Sequence, residues 1–118
     1  MEHPDIASLA NEPVLDLTTT GRHSGEPRTI EIWFVYHQDK LYLNAEHGHR
    51  TQWVRNLIHT PRVQVRLRES TWDGNARVLD AAQDRRLWAA VVALFRQKYG
   101  WGEGLPVEIT PTGVSPGS

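Results

Sequence analysis

The chain has 118 residues, of which 39% are hydrophobic and 23% charged, and this length fits one folded domain. It contains no cysteine, which excludes thiolate catalysis, iron–sulfur clusters and cysteine-ligated zinc. Thirteen basic and 14 acidic residues give a net charge of -1, which argues against nucleic acid as the main partner. Because we find neither a signal-peptide pattern nor an apolar run long enough to span a membrane, we expect a soluble cytoplasmic protein.

Strands and turns dominate the pattern of the first half. The β-branched run Val14–Thr20 predicts a strand that ends at a glycine-containing loop, residues 21–28. Apolar and polar residues alternate along Arg28–His37, which predicts one continuous strand. Gln38-Asp39 predicts a hairpin turn into a further strand, Lys40–Ala45. Together these segments predict an antiparallel meander.

A short helix and two strands are predicted next. Thr51–His59 carries its apolar residues at the spacing of one helical face. Arg62–Arg68 alternates strictly, which is typical of a half-buried strand. Trp72–Leu79 predicts a weaker strand, in which Asp73-Gly74 indicates either a break or a bulge.

The longest helix is predicted between Asp80 and Gly100. Asp80 and Gln83 resemble a capping box at its start, and Gly100 is typical of a helix end. Leu105–Thr110 predicts a closing strand. The tail that follows, residues 112–118, has linker composition and is predicted to be disordered.

These elements predict one mainly-β domain over residues 1–111. Six strands with one short and one long helix describe a small, mostly antiparallel barrel with helices packed on it. Since side chains fill the interior of so small a barrel, a sizeable ligand must bind at its rim or in a cleft shared with another subunit. We therefore expect a homodimer.

The loop after the first strand has the composition of an anion site. Gly21 and Gly25 allow backbone N–H groups to approach a ligand closely, while Arg22 and Arg28 offer charged donors. The alternative is a hairpin loop whose arginines are only solvated.

Two blocks of the sequence resemble one family. LTTTGRHSGEPRTIEIWFVY (Leu17–Tyr36) resembles the TTGRxSGxPRxxxxxFV signature of the deazaflavin (F420)-dependent nitroreductases, also called F420-dependent quinone reductases. LYLNAEHGHRTQWVRNLIHTPRVQV (Leu41–Val65) is similar to the same family's second block. The resemblance implies a six-stranded antiparallel split β-barrel, dimeric, whose flavin-type cofactor passes hydride to a small quinone, nitro or enone-like acceptor.

The resemblance also implies a set of cofactor-binding positions. Those expected at the phosphate and tail are Arg22, His23, Ser24 and Arg28; those at the side chain or ring are Ala45, Glu46, His47 and Gly48; those on the closing helix are Trp53 and Asn56. Because the cofactor carries the chemistry, no residue is identified as an acid or base. Tyr36 and His47 are the candidates if a proton donor is needed.

This chain departs from the family at two places. His23 stands where the family usually has lysine, and Glu46-His47-Gly48-His49 replaces a Ser-Lys-Gly-Gly-like run. Both changes remove permanent positive charge, and the second adds a carboxylate. F420 is the expected cofactor, with FMN as an alternative, and a non-catalytic ligand-binding protein on the same scaffold is the alternative function.

Two further constellations compete with this interpretation. His47 and His49, with His59 further on, are compatible with a metal site, but a third ligand at useful spacing is lacking, so we expect no metal. The arginines of Arg62–Arg68 lie on one strand face, where they could track a nucleic-acid backbone. The net charge favours a solvated face instead.

Four aromatic residues are candidates for a wall that stacks on a substrate or on the ring of a cofactor. They are Trp33, Trp72, Tyr99 and Trp101. For Trp33 the alternative is packing in a dimer interface.

Overall fold

The computed structural model describes residues 6–114. Within them a short 3-10 helix, Ile6–Leu9, precedes seven strands and two α-helices. The strands are β1 Leu15–Thr20, β2 Pro27–Ile32, β3 Val35–His37, β4 Lys40–Ala45, β5 Arg62–Leu67, β6 Ser70–Val78 and β7 Leu105–Val114. The helices are α1 Gln52–His59, which follows a 3-10 turn at Gly48–Arg50, and α2 Arg85–Tyr99. Within the same range no helix combines the length and apolar character needed to cross a membrane.

All seven strands form one antiparallel sheet in the order β2-β1-β5-β6-β7-β4-β3. The two ends of this order, β2 and β3, are consecutive in the chain and are joined by Trp33 and Phe34. The sheet therefore curls into a half-barrel, in which the two edge strands β2 and β3 meet at this short junction. The predicted mainly-β, antiparallel class with a short and a long helix is confirmed, with seven strands in place of six. The antiparallel pairings of the predicted meander are confirmed as β1–β2 and β3–β4, but its middle strand is divided, and the two parts, β2 and β3, lie at opposite ends of the order.

The extra strand arises because the predicted strand Arg28–His37 is interrupted at Trp33 and Phe34. Phe34 and Val35 are neighbours and are both buried, Phe34 in the core of the barrel and Val35 in the cluster that includes residues of α2. The hydroxyl of Tyr99 accepts a hydrogen bond from the Phe34 N–H at 3.1 Å. The Lys98 ammonium donates to the Phe34 carbonyl at 3.0 Å. Side chains of α2 thus replace the strand ladder at this break.

Burial changes the acidity of the lysine that holds this break. The Lys98 ammonium also donates to the carbonyl of Ala10 at 3.0 Å and lies 3.9 Å from the centre of the Phe34 ring. Burial lowers the pKa of Lys98 to about 8. Lys98 therefore ties the N-terminal segment, α2 and the β2–β3 junction together.

Side chains fill the interior of the curled sheet. Along β5 the inward residues Val63, Val65 and Leu67 are buried while the alternate residues are exposed, as predicted. α1 packs against β1 and β6, and α2 packs against β3 and β7. Because the core is filled, clefts between the sheet, its loops and the helices are the places where a ligand can bind.

The long helix begins later than predicted. Asp80 Oδ1 accepts from the N–H groups of Ala82 and Gln83 at 2.9 and 2.8 Å, but these bonds close a turn, and α2 begins at Arg85. The carboxylate of Asp84, the N-cap residue, is bound to Arg77 at 2.9 Å, and this pairing lowers the pKa of Asp84. The end is as predicted, with Gly100 in the left-handed conformation at φ 77°.

The closing strand is longer than predicted. β7 continues to Val114 because its last residues pair with β6. The expectation of a disordered tail over residues 112–118 is therefore wrong for 112–114, and 115–118 lie outside the described residues. The predicted bulge in β6 is confirmed by a register shift between Asp73 and Gly74.

Candidate functional site

The β1–β2 loop and the start of α1 enclose a cleft of about 650 Å³, which we call the loop cleft. Strand β2 forms its third side through Thr29 and Ile30. Six of the predicted cofactor-binding residues line it: Arg22, His23, Ser24, Arg28, Trp53 and Asn56. Residues that are distant in sequence thus meet at one place.

Two glycines shape the loop. The Gly21 N–H donates to the Glu26 carbonyl and the Gly25 N–H to the Gly21 carbonyl, each at 2.8 Å. A side chain at position 21 would place its Cβ 2.9 Å from Ser24 Oγ and 3.2 Å from the Glu26 carbonyl oxygen. Gly25 has φ 75°, a conformation that glycine adopts at little cost. The loop is therefore compact, with its polar side chains gathered at the cleft.

Arg22 is held in the cleft by neutral partners. Its guanidinium donates to Asn56 Oδ1 at 3.0 Å and to Gln52 Oε1 at 2.7 Å. Asn56 is buried, and its Nδ2 donates to Thr19 Oγ1 at 3.3 Å, which fixes the amide. Among residues 6–114, no carboxylate forms an ion pair with Arg22. The arginine is thus oriented while its positive charge stays uncompensated, as an anion site requires.

The start of α1 adds groups that the sequence interpretation missed. Thr51 and Gln52 line the loop cleft. The Thr51 hydroxyl is buried without a hydrogen-bond partner, and although Thr51 is the N-cap residue its side chain does not cap the helix. A buried hydroxyl without a partner is costly, so this atom fits a ligand that hydrogen-bonds to it. The signal in the sequence that could have identified this position is Thr51 itself, because threonine is common at the residue directly before a helix.

Arg28 is held less firmly than Arg22. Its guanidinium is exposed and lies 3.7 Å from the carboxylate of Glu26, with Ser24 Oγ at 3.5 Å. His23 is also exposed and makes the rim of the cleft. The cationic character of the cleft therefore comes first from Arg22.

The other four predicted cofactor residues lie elsewhere. Ala45 ends β4 and is buried, so its methyl group offers no contact to this cleft. Glu46 lines a different cleft, beside Trp33, and His47 is exposed with its Nε2 3.9 Å from the Glu46 carboxylate. The turn around Gly48 leads into α1 without lining the loop cleft. The proton-donor candidate Tyr36 is in β3, where its hydroxyl donates to Asp39 at 2.8 Å.

In the part of the chain that it describes, the structure supports neither the histidine metal site nor an unpaired row of arginines on β5. Within residues 6–114, no group of three or more His, Asp or Glu side chains is placed to hold a metal ion. Arg62 is paired with Asp73 at 3.1 Å, and Arg68, which follows the end of β5, is paired with Glu12 at 3.4 Å.

Three of the four candidate wall residues come together. The rings of Trp33 and Tyr99 are stacked at 4.4 Å with 2° between their planes, and Trp101 meets Trp33 edge-on at 6.4 Å. Trp72 is a core residue instead, because it is buried on the inner face of β6.

The sequence model of the family described as F420H2-dependent quinone reductase matches residues 4–110. The chain belongs to this family. The resemblance of the two sequence blocks is therefore confirmed. A solved F420H2-dependent reductase, FDR-A, is 25% identical, with a TM-score of 0.59 and coverage of 88% of this chain and 95% of that one.

More distant structures share the fold of this family member. HutZ, the heme storage protein from Vibrio cholerae, is 20% identical with a TM-score of 0.73, covering 96% of this chain and 92% of its own. A putative 5-nitroimidazole antibiotic resistance protein from Bacteroides thetaiotaomicron is 13% identical with a TM-score of 0.75, covering 97% and 82%. At such identities these likenesses establish the split-barrel fold alone, and HutZ shows that the scaffold also occurs in a storage protein.

Proposed function

We propose that this protein binds F420H2 in the loop cleft and transfers hydride to a small quinone, nitro or enone-like acceptor. The observation that carries the proposal is the uncompensated guanidinium of Arg22, held by Asn56 and Gln52 at the wall of the cleft. Membership of the F420H2-dependent quinone reductase family supports this choice of cofactor.

The residues of the cleft fit a phosphate-bearing group. Arg22 would hold an anionic oxygen with charge-assisted hydrogen bonds, and Arg28 and His23 would add donors from the rim. The unpartnered hydroxyl of Thr51 is a further donor at the start of α1. Bound F420H2 supplies the hydride, while this chain binds, orients and excludes water.

Apolar side chains give the same cleft a wall for an uncharged ring. Trp53, on the first turn of α1, and Ile30, on β2, line the cleft opposite the polar loop. Their burial against a ligand would add a hydrophobic contribution to the binding free energy.

A non-catalytic binding protein is the second candidate function. Of the candidate proton donors, Tyr36 is bound to Asp39 in the β3–β4 hairpin and His47 lies outside the loop cleft. The heme storage protein HutZ has the same fold, which supports keeping this candidate.

Titration with F420 and with FMN tests the cofactor assignment. We expect saturable binding of F420, tighter than that of FMN because the F420 tail carries more negative charge. Raising the salt from about 0.1 M to about 1 M should weaken binding, since the Debye length falls from about 10 Å to about 3 Å. Isothermal titration calorimetry measures both effects.

The outcomes of that titration separate the candidate functions. Oxidation of bound F420H2 on addition of a benzoquinone supports the reductase. Binding without oxidation supports the binding protein, and the absence of binding of either cofactor at high micromolar concentration would contradict both. FMN binding more tightly than F420 would make FMN the cofactor.

We further propose that the protein acts as a homodimer in the cytoplasm. Because the barrel interior is filled, a tricyclic ring has to bind at the surface, where a second subunit can shield it from water. Light scattering on dilute protein should give about twice the chain mass of 13.5 kDa. A monomer that still bound one cofactor per chain would contradict the shared cleft.

A further inference from the structure

A second cleft, of about 460 Å³, opens on the other side of the β2–β3 junction, and we call it the aromatic cleft. It is built from β2, the end of β4, helix α2 and the segment after α2. The side chains that line it include Glu31, Trp33, Asn44, Glu46, Phe95 and Trp101. Glu46 is the single one of these six residues among the expected cofactor-binding positions, and there it is itself a departure from the family's Ser-Lys-Gly-Gly-like run.

A fixed indole forms the wall of the aromatic cleft. Trp33 is 44% exposed although it is a large apolar residue. Tyr99 stacks on one face of the indole at 4.4 Å, and the Tyr99 hydroxyl is itself anchored on the Pro13 carbonyl at 2.7 Å. Trp101 adds an edge contact to Trp33. The wall is therefore rigid before a ligand arrives, which favours a planar ring.

A buried amide side chain lies beside the same cleft. Asn44 is only 9% exposed, and its Oδ1 has no hydrogen-bond partner. Its Nδ2 donates to the Glu103 carbonyl at 3.0 Å, so the amide cannot turn to satisfy the oxygen. Leaving a buried carbonyl unpaired is costly. The oxygen lies beside Gly104, where an added Cβ would be 2.7 Å from it, so Asn44 contributes a fixed polar residue to the cleft and no accessible acceptor.

The charge of the aromatic cleft is opposite to that of the loop cleft. Glu31 and Glu46 line it, and its lining within the described residues contains no lysine or arginine, although Glu31 also lines a neighbouring cleft that includes Arg66. Glu31 forms no ion pair within residues 6–114, and the partner of Glu46 is the exposed imidazole of His47 at 3.9 Å. A cation is favoured here by the carboxylates and by the faces of the indoles.

We propose that the aromatic cleft binds a planar aromatic cation. The ring would lie against Trp33, and its positive charge would face Glu46 and Glu31. This inference does not depend on F420 binding, because none of these groups lines the loop cleft.

Two ring compounds of equal shape test the proposal on the cofactor-free protein. 4-Aminoquinoline is protonated on its ring nitrogen at neutral pH and so has a ring N–H and a positive charge, whereas 1-naphthylamine is its neutral counterpart. By calorimetry we expect the cation to bind about tenfold more tightly, the size of a combined cation–π and ion-pair preference. Equal affinities, or no binding of the cation, would overturn the proposal.

Three variants test whether the compounds bind in the aromatic cleft. Glu46→Gln should reduce the preference for the cation several-fold and leave naphthylamine binding unchanged, because it removes charge and keeps shape. Glu69→Gln, at an exposed turn between β5 and β6, is the matched control and should change nothing. Trp33→Ala should weaken both compounds. The proposal fails if Glu46→Gln and Glu69→Gln have the same effect on the preference for the cation. It also fails if Trp33→Ala dissociates a dimer and the unsubstituted dimer does not bind the probe.

Discussion

Arg22→Ala is expected to weaken F420 binding by about 1.5 to 3 kcal/mol, which is roughly ten- to a hundredfold. The variant removes a guanidinium that is already oriented by Asn56 and Gln52, so no ordering cost offsets its hydrogen bonds to an anion. Folding should change little, because Asn56 Oδ1 still accepts from the backbone N–H of residue 22 at 3.2 Å. Calorimetry gives the affinity and thermal unfolding gives the stability.

Two other arginines serve as comparisons for this variant. Arg28→Ala should have a smaller effect, because that side chain is exposed and lies 3.7 Å from the Glu26 carboxylate. Arg66→Ala, on the exposed face of β5, should leave F420 affinity unchanged. If Arg22→Ala and Arg66→Ala bind F420 equally well, the loop cleft is not the site of the anionic tail.

Glu108→Ala is expected to lower the free energy of unfolding by about 2 to 4 kcal/mol, the range for removing one member of a buried charged network. The carboxylate on β7 is 7% exposed and accepts hydrogen bonds from three side chains. The donors are Tyr42 at 2.9 Å, Arg77 at 3.4 Å and Lys40 at 3.5 Å. Burial, followed by the bond to Glu108, raises the pKa of Tyr42, which keeps its hydroxyl protonated as a donor. The variant leaves that hydroxyl without its partner.

Urea unfolding measures this loss. Glu108→Gln keeps an acceptor for Tyr42 and should cost less than Glu108→Ala, because only the charge is removed. Glu103→Ala, an exposed carboxylate nearby in sequence, should be nearly neutral. F420 affinity should be unchanged, since Glu108 does not line the loop cleft. Equal stabilities of the Glu108 and Glu103 variants would contradict a stabilising network.

Local patterns in the sequence were sufficient for much of the fold. The strict alternation of Arg62–Leu67 predicts a half-buried strand because side chains point to opposite faces with a period of two. Gln38 and Asp39 have the positive φ angles, 50° and 67°, of the tight hairpin they predicted. Gly100 ends α2 for a similarly local reason. The two motif blocks also carried the family, which the sequence model confirms.

The tertiary structure alone decided the break at Trp33 and Phe34. The alternation continues through these residues, so no local signal marks the end of β2. The break depends on Lys98 and Tyr99, more than 60 residues away, whose side chains bind the Phe34 backbone. The same holds for the start of α2, where Arg77 draws the carboxylate of Asp84 away from the helix.

The sequence by itself determined most of the strands, the C-terminal end of α2 and the glycine-rich loop, because each depends on neighbours along the chain. The two clefts, in contrast, could not be predicted from neighbours along the chain. Arg22 meets Gln52 and Asn56 only when α1 packs beside the loop, and the aromatic cleft joins Trp33, Asn44 and further residues from other segments. These residues come together only when the sheet curls and the helices pack. Contacts between distant segments produce no repeating pattern of apolar and polar residues, so the sequence does not reveal them.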